Sequence, residues 1–291
     1  MNTKQFYNIL SVLLVAVLIL ALLCALAGTT LLVVKLAVPA ATPPPENVDE
    51  APEDEKTPPE QNEPEDLPTN TDPEDMLLKE SPDAGIEYQD SLIFFGESTT
   101  SHLVSRGVLS GGNATTQVWK DDSGTRMLSS QGLATPIVYP ETGELLTIKQ
   151  ACNQKKPQYI VLSFGVNGIT GFINNKSSYV NNYHKLINTI KEASPDTKII
   201  LQTVYPVRAA TDYSVDTDTL NQYINTLNEW LFEIAAEHSN VRIADTASVL
   251  TDADGKLASH FDSGDGLHLT REAYQAILQY LRTHAWVAKT D

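Results

Sequence analysis

Apolar positions fall into three regimes along this 291-residue chain. From Ile9 to Val34 they are almost continuous and uncharged. From Thr42 to Asp90 they are sparse. From Ser91 onward, short apolar runs alternate with stretches of helical period. SLIFF (91–95) reads as a strand buried on both faces. YIVLSFGVNG (159–168), KIILQTVYP (198–206) and VRIADTA (241–247) read as three more strands. Between them, Tyr179, Tyr183, Leu186, Ile187 and Ile190 recur at helical spacing. A second helix carries Leu220, Tyr223, Ile224, Leu227, Trp230, Leu231 and Ile234. A third begins after Thr270, a good N-cap, with Ala273, Tyr274, Ile277, Leu278 and Leu281 on one face. The segment 107–153 is less regular. VWK (118–120) and PIVYP (136–140) suggest short strands, the latter in a hairpin with ELLTI (144–148). This alternation predicts an α/β domain: an open parallel sheet with helices on both faces. Ligands in such folds bind outside the carboxyl ends of the strands.

The first regime is long enough, at about 1.5 Å per residue, to cross the roughly 30 Å apolar layer of a bilayer. Residues 9–38 are therefore expected to form a transmembrane signal anchor behind a short cytoplasmic terminus, residues 1–8. A cleaved leader is the alternative, with Ala25 and Ala27 as its small residues. Apolar residues continue past that point, which favours the anchor. Lipidation at Cys24 is disfavoured because the preceding Ala-Leu-Leu places no small residue beside it. Lys4 favours an inside amino terminus and Lys35 argues weakly the other way. The rest of the chain is then extracytoplasmic, at the cell membrane.

Charge separates the second regime from the third. The formal net charge is −17, and −15 of it lies between Thr42 and Asp90, where proline also recurs. Such a segment buries too little to offset its ordering entropy. Residues 39–88 are expected to be a disordered acidic linker, and 89–291 the folded domain. That domain carries about −4, with neither a nucleic-acid footprint nor a basic membrane patch. Only two cysteines occur, Cys24 and Cys152, so no intrachain disulfide is expected in the domain.

The first strand runs into Gly96-Glu97-Ser98. A serine hydroxyl needs a base to become a nucleophile. His184 and His238 fall among polar helix neighbours and read as surface residues, and His284 is near the terminus. His102, on the helix after Ser98, is expected to point away. His260 and His268 remain, both in the loop before the last helix. Asp265 precedes His268 by three residues, a spacing that lets it accept from Nδ1 and leave Nε2 for the serine. Asn167, at the end of the second strand, is a turn former by default. Its carboxamide is also suited to an oxyanion, together with the Ser98 N–H and one glycine N–H.

These blocks, GES at a strand-to-helix turn, GVN and DGLH, resemble those of the SGNH/GDSL hydrolase family over residues 91–286. The resemblance implies a flavodoxin-like three-layer α/β/α sandwich with a parallel sheet of about five strands. It implies Ser98 as nucleophile, with His268 and Asp265 completing a triad. It implies an oxyanion hole of Ser98, Asn167 and a glycine: Gly124, with Gly111 or Gly112 as alternatives. No cofactor and no metal are implied. Two departures stand out. Glu97 replaces the usual Asp, which predicts altered loop hydrogen bonding with activity retained. Gly168 replaces a frequent acid, which alters the crevice wall.

The expected function is an extracytoplasmic serine esterase acting on O-acyl, chiefly acetyl, esters such as those of wall or capsule glycans. An O-acyltransferase would use the same serine. A wall-binding domain without catalysis is a different class of alternative. A phosphoesterase with metal on His260, Asp262, Asp265 and His268 is disfavoured, because the other strand ends supply no further ligands. Asp252 and Asp254 read as a turn rather than a calcium loop.

Overall fold

The computed structural model describes residues 72–124 and 126–286. Five strands form one parallel sheet: β1 (Leu92–Gly96), β2 (Val118–Trp119), β5 (Tyr159–Ser163), β6 (Lys198–Gln202) and β7 (Val241–Ala244), in the order β2-β1-β5-β6-β7. β3 (Ile137–Val138) and β4 (Leu145–Leu146) form the separate antiparallel hairpin the sequence suggests, with Ile137 opposite Leu146. The chain leaves β1 for β2 on one side and returns to β5 on the other. The strand order thus reverses between β1 and β5, where an open α/β sheet places its ligand crevice.

Alternation along each buried strand feeds two cores. Ile93, Phe95, Ile160, Leu162, Ile199 and Leu201 face one side, against α7 (Lys176–Ala193) and α8 (Thr217–Ala236). Leu92, Phe94, Val161 and Ile200 face the other, against α3 (Ser98–Ser105) and α9 (Arg271–Thr283). The remaining helices are α1 (Pro73–Met76), α2 (Gly85–Asp90), α4 (Ser130–Ala134), α5 (Ile148–Lys155) and α6 (Ile169–Phe172). Thr270 caps α9 as expected, its hydroxyl accepting from the Ala273 N–H at 3.3 Å.

Three expectations are corrected. The linker was expected to reach residue 88, yet residues 72–88 belong to the folded unit. Met76 and Leu78 are buried, Leu77 pairs in parallel with Ile243 on the edge strand β7, and Tyr88 packs edge-on against Tyr159. Three apolar residues and a tyrosine dock this stretch, together with the Asp83–Arg282 ion pair and backbone bonds from Leu78, Ser81 and Ala84, while its acids and prolines dominate the composition. Covering β7 also shields a strand edge. The strands are shorter than their apolar runs: Phe164, Val166, Val204, Tyr205 and Val207 are buried in the loops that follow. Third, His184 and His238 are not separate surface residues. Their Nδ1 and Nε2 lie 2.8 Å apart, and burial, then the neighbouring ring, pushes His238 down to about 4.

The expected cytoplasmic terminus, transmembrane segment and linker up to residue 71 lie outside the described residues. Among the described residues no helix is long and apolar enough to cross a membrane. Cys152 is buried and unpaired, and burial pushes its thiol up to about 12.

Candidate active site

Ser98 is the first residue of α3, directly beyond β1. Gly96 lies opposite Ser163 in the sheet, so the loops after β1 and β5 leave from neighbouring points. His268 sits 170 residues away in sequence. Its Nε2 is 3.4 Å from the Ser98 Oγ. That is the outer limit of a hydrogen bond, and such contacts tighten when substrate binds.

The loop before α9 presents the imidazole. Asp265 Oδ2 lies 2.7 Å from His268 Nδ1, and Asp265 Oδ1 accepts the backbone N–H groups of Leu267 and His268 at 3.0 and 2.8 Å. Burial is the largest influence on Asp265 and pushes it up. The His268 backbone N–H, the His268 ring and the Leu267 N–H together outweigh it and hold the acid at about 2. Asp265 is therefore ionised wherever the imidazole can act as a base. Asp262 Oδ1 closes the same loop by accepting from Gly264 and Gly266, both at 2.9 Å. Gly266, at φ 81°, passes its carbonyl to the Arg208 N–H at 2.7 Å, and a Cβ there would come within 2.4 Å of Ala209 Cβ. Asp262 is thus a turn residue. Among the described residues no group of three or more His, Cys, Asp and Glu side chains is placed to hold a metal ion.

The two helices that carry the chemistry are tied together. The Tyr274 hydroxyl of α9 donates to the Thr99 carbonyl at 2.7 Å. Arg271 caps the far end of α3 through the Arg106 and Gly107 carbonyls. Relative movement of Ser98 and His268 therefore breaks several bonds at once.

His102 is where the sequence reading fails. It was expected to point away, yet its ring centroid lies 4.8 Å from that of His268. Residues four apart share a helix face, so the side of α3 that presents Ser98 also presents His102. Burial, then the charge of His268, pushes His102 down. Its ring stands beside that of the candidate base.

On the oxyanion side, Asn167 follows β5 as expected. Its side-chain nitrogen donates to the Arg126 carbonyl at 3.2 Å. Arg126 is itself buried and gathers the 121–136 loop, through the Thr135 carbonyl at 2.8 Å, the Pro136 carbonyl at 3.2 Å and Asp121 at 3.2 Å. Gly124 departs from its expected role. Its N–H donates to Asp121 Oδ1 at 2.8 Å, and its carbonyl accepts from the Ser101 hydroxyl at 2.9 Å. Gly124 is thus beside α3, but its donor is engaged within an aspartate turn. Of the alternatives, the Gly112 N–H donates to the Leu109 carbonyl at 2.9 Å.

The profile of the GDSL-like Lipase/Acylhydrolase family matches residues 94–276, from the middle of β1 into α9. The chain belongs to the GDSL-like lipase/acylhydrolase family. A search of the curated proteins gave no match. Similar solved structures include a Streptococcus pneumonia protein described as a candidate platelet activating factor. It is 22% identical, with 72% of this chain and 94% of that one covered and a TM-score of 0.48. Another is a GDSL-like lipase from Bacteroides thetaiotaomicron, 16% identical, covering 68% and 89%, with a TM-score of 0.46. A carbohydrate esterase family 3 protein from Talaromyces cellulolyticus is 17% identical, covering 66% and 93%, with a TM-score of 0.42.

Membership makes this chain an ester hydrolase of the SGNH/GDSL type. Within this GDSL-like hydrolase the two departures noted above acquire structure. Gly168 has φ 89°, and a Cβ there would lie 2.7 Å from Met127 Sδ. An acid at this position would displace Met127, which is 42% exposed beside Asn167. Glu97 is 3% exposed, and its two carboxylate oxygens accept from the Val166 and Asn167 N–H groups at 3.0 and 2.9 Å.

Burial is the main cause pushing Glu97 up to about 7, against the pull of the Asn167, Val166 and Gly165 N–H groups. A raised folded pKa means the ionised acid costs stability. The cost is absent below about pH 4.5 and grows as pH rises through 7. Its full size is on the order of 3 kcal/mol. His102 and His238, both pushed down, slope the opposite way below their ordinary value near 6.5. The difference between variants isolates the Glu97 contribution. Urea unfolding of Glu97→Gln against wild type is expected to shift in favour of the variant by about 2–3 kcal/mol between pH 5 and pH 8.5. A difference independent of pH would show that Glu97 does not titrate in that range.

Proposed function

We propose that this hydrolase is an extracytoplasmic serine esterase that removes small O-acyl groups, chiefly acetyl, from cell-surface glycans. The observation that carries the chemistry is the continuous relay from Ser98 Oγ through His268 to Asp265. Ser98 attacks the ester carbonyl while His268 Nε2 takes its proton. Asp265, already ionised, holds the tautomer and stabilises the imidazolium. The tetrahedral oxygen is met by the Ser98 N–H at the start of α3 and by the Asn167 carboxamide, each such donor being worth about 3–4 kcal/mol in the transition state. His268 then protonates the departing alcohol. Water, deprotonated by the same imidazole, releases the acid and restores Ser98. Met127 beside Asn167 supports an apolar contact for a short acyl group. The uncharged run at 9–34 and the acidic linker support membrane attachment with the domain held away from the surface.

The test uses the full chain in detergent with p-nitrophenyl acetate and an acetylated glycan. Ser98-dependent turnover of both supports the reading. A folded protein that neither turns over acyl esters nor reacts with a serine-directed phosphonate refutes it. External protease that leaves the domain intact on whole cells would refute the location. Asp265→Asn is expected to lower kcat about 10²–10⁴-fold with little change in KM, since it removes orientation of the base and not substrate contact.

A further inference from the structure

We propose that Glu97 is a positioning residue: its buried carboxylate holds the Gly165–Asn167 turn against the start of α3, and so fixes the Asn167 carboxamide relative to Ser98. This rests on the esterase reading of the site.

The geometry is unusual for an acid. Glu97 is buried without a cation: none of the influences on it comes from Lys, Arg or His. The titratable groups whose charge it influences are hydroxyls, Tyr179 and Tyr183 on α7, Tyr205 after β6 and Tyr213 before α8. Burying a carboxylate among uncharged groups is costly, and a well-packed uncharged residue would avoid the cost. What the carboxylate gains is a row of successive backbone N–H groups, those of Gly165, Val166 and Asn167. Such a row is a concave anion site, and glycine at φ 157° and 89° on either side permits it. Here the anion is supplied by the protein itself.

The same residue has a second set of bonds. Its backbone N–H donates to Ser163 at the end of β5, at 3.2 Å, and its carbonyl accepts from Thr100 and Ser101 in the first turn of α3, at 3.0 and 3.2 Å. Glu97 therefore joins the end of β5, the Asn167 turn and the helix that begins with Ser98. Its backbone sets where the nucleophile stands and its side chain sets where the oxyanion donor stands. A neutral amide keeps the size of the side chain but turns one acceptor into a donor that faces a backbone N–H.

The test measures kcat and KM of the full chain across pH 5–9 with p-nitrophenyl acetate. Active sites are counted by phosphonate labelling so that misfolded protein does not enter kcat. Wild type needs the Glu97 carboxylate ionised, so the Glu97 proton contributes to the fall of its kcat on the acid side. Glu97→Gln is expected to lower kcat about 10–100-fold at pH 8, the cost of a small misplacement, with KM within about twofold. Its acid limb should also lose the Glu97 proton. Glu97→Asp keeps the charge and should recover part of the lost kcat while keeping a carboxylate proton in its acid limb. A Glu97→Gln enzyme with unchanged kcat and an unchanged acid limb overturns the proposal. If Glu97→Gln does not fold, Glu97→Asp decides: a lowered kcat with a displaced acid limb supports the clamp, and kcat and acid limb identical to wild type overturn it. A wild type without Ser98-dependent turnover overturns the esterase reading and this proposal with it, whereas an active wild type with an unaffected variant overturns the proposal alone.

Discussion

Ser98→Ala and His268→Ala should each lower kcat by about 10⁵–10⁶-fold, and the double variant should be no worse than either alone. The reason is that the two side chains act as one device. With the hydroxyl gone, no acyl-enzyme forms and the imidazole has nothing to deprotonate. With the imidazole gone, the hydroxyl keeps its proton at neutral pH and is a poor nucleophile. Residual catalysis of about 10³–10⁴ over water would come from the oxyanion donors and binding. Both variants should fold: Ser98 makes its side-chain contact through its long bond to His268, and the His268 backbone bonds survive truncation. Circular dichroism checks the fold and mass spectrometry of the phosphonate adduct checks the site. A Ser98→Ala protein within tenfold of wild type would mean that another residue supplies the nucleophile.

Gly96→Ala is expected to remove about 3 kcal/mol of stability or prevent folding, and to abolish activity in what remains. Gly96 does not occupy the left-handed region, so backbone strain is not the cause. The cause is space. A Cβ there would lie 2.3 Å from the Ser163 carbonyl oxygen and 2.2 Å from Thr100 Oγ1. Thr100 can turn its side chain. The Ser163 carbonyl cannot move freely, because it belongs to the strand paired with β1 and accepts the Glu97 N–H. Relief must come from parting β1 and β5 at the point where Ser98 and the Asn167 turn both originate. Urea unfolding should show a lower midpoint with an unchanged slope. Stability within about 0.5 kcal/mol of wild type would show that the strands separate there without cost.

Four of the five sheet strands, β1, β5, β6 and β7, were legible because each is a short apolar run in a sheet covered on both faces, a pattern that amphipathic helices do not share. The hairpin at 137–146 was legible for a related reason, the turn at Glu141–Gly143 between two apolar pairs. Residues 72–88 were not. Their composition is that of the acidic linker, and what distinguishes them is Met76, Leu77, Leu78 and Tyr88, with Asp83, meeting surfaces distant in the chain. The proposed triad residues could be singled out because Asp265 and His268 are three apart and Ser98 follows the end of a strand by two residues. His102 was misjudged because its neighbour in space is 166 residues away in sequence. The block pattern that points to Gly124 carries no information about where an N–H points. Asp121, three residues earlier, takes that donor.

By itself the sequence determined the order of the sheet strands and of the three longest helices, the parallel α/β class, and the identity of the candidate nucleophile and base. These follow from local periodicity, local composition and short spacings, all of which are properties of neighbouring residues. The tertiary structure alone decided that His102 stands beside the base, that the Gly124 donor is engaged, and that Glu97 reaches across to the Asn167 turn. Each of those depends on which atoms meet when β1, β5 and the loop before α9 are brought to one edge of the sheet. A hydrogen bond is a matter of a few tenths of an ångström and an angle, and no pattern along the chain specifies it.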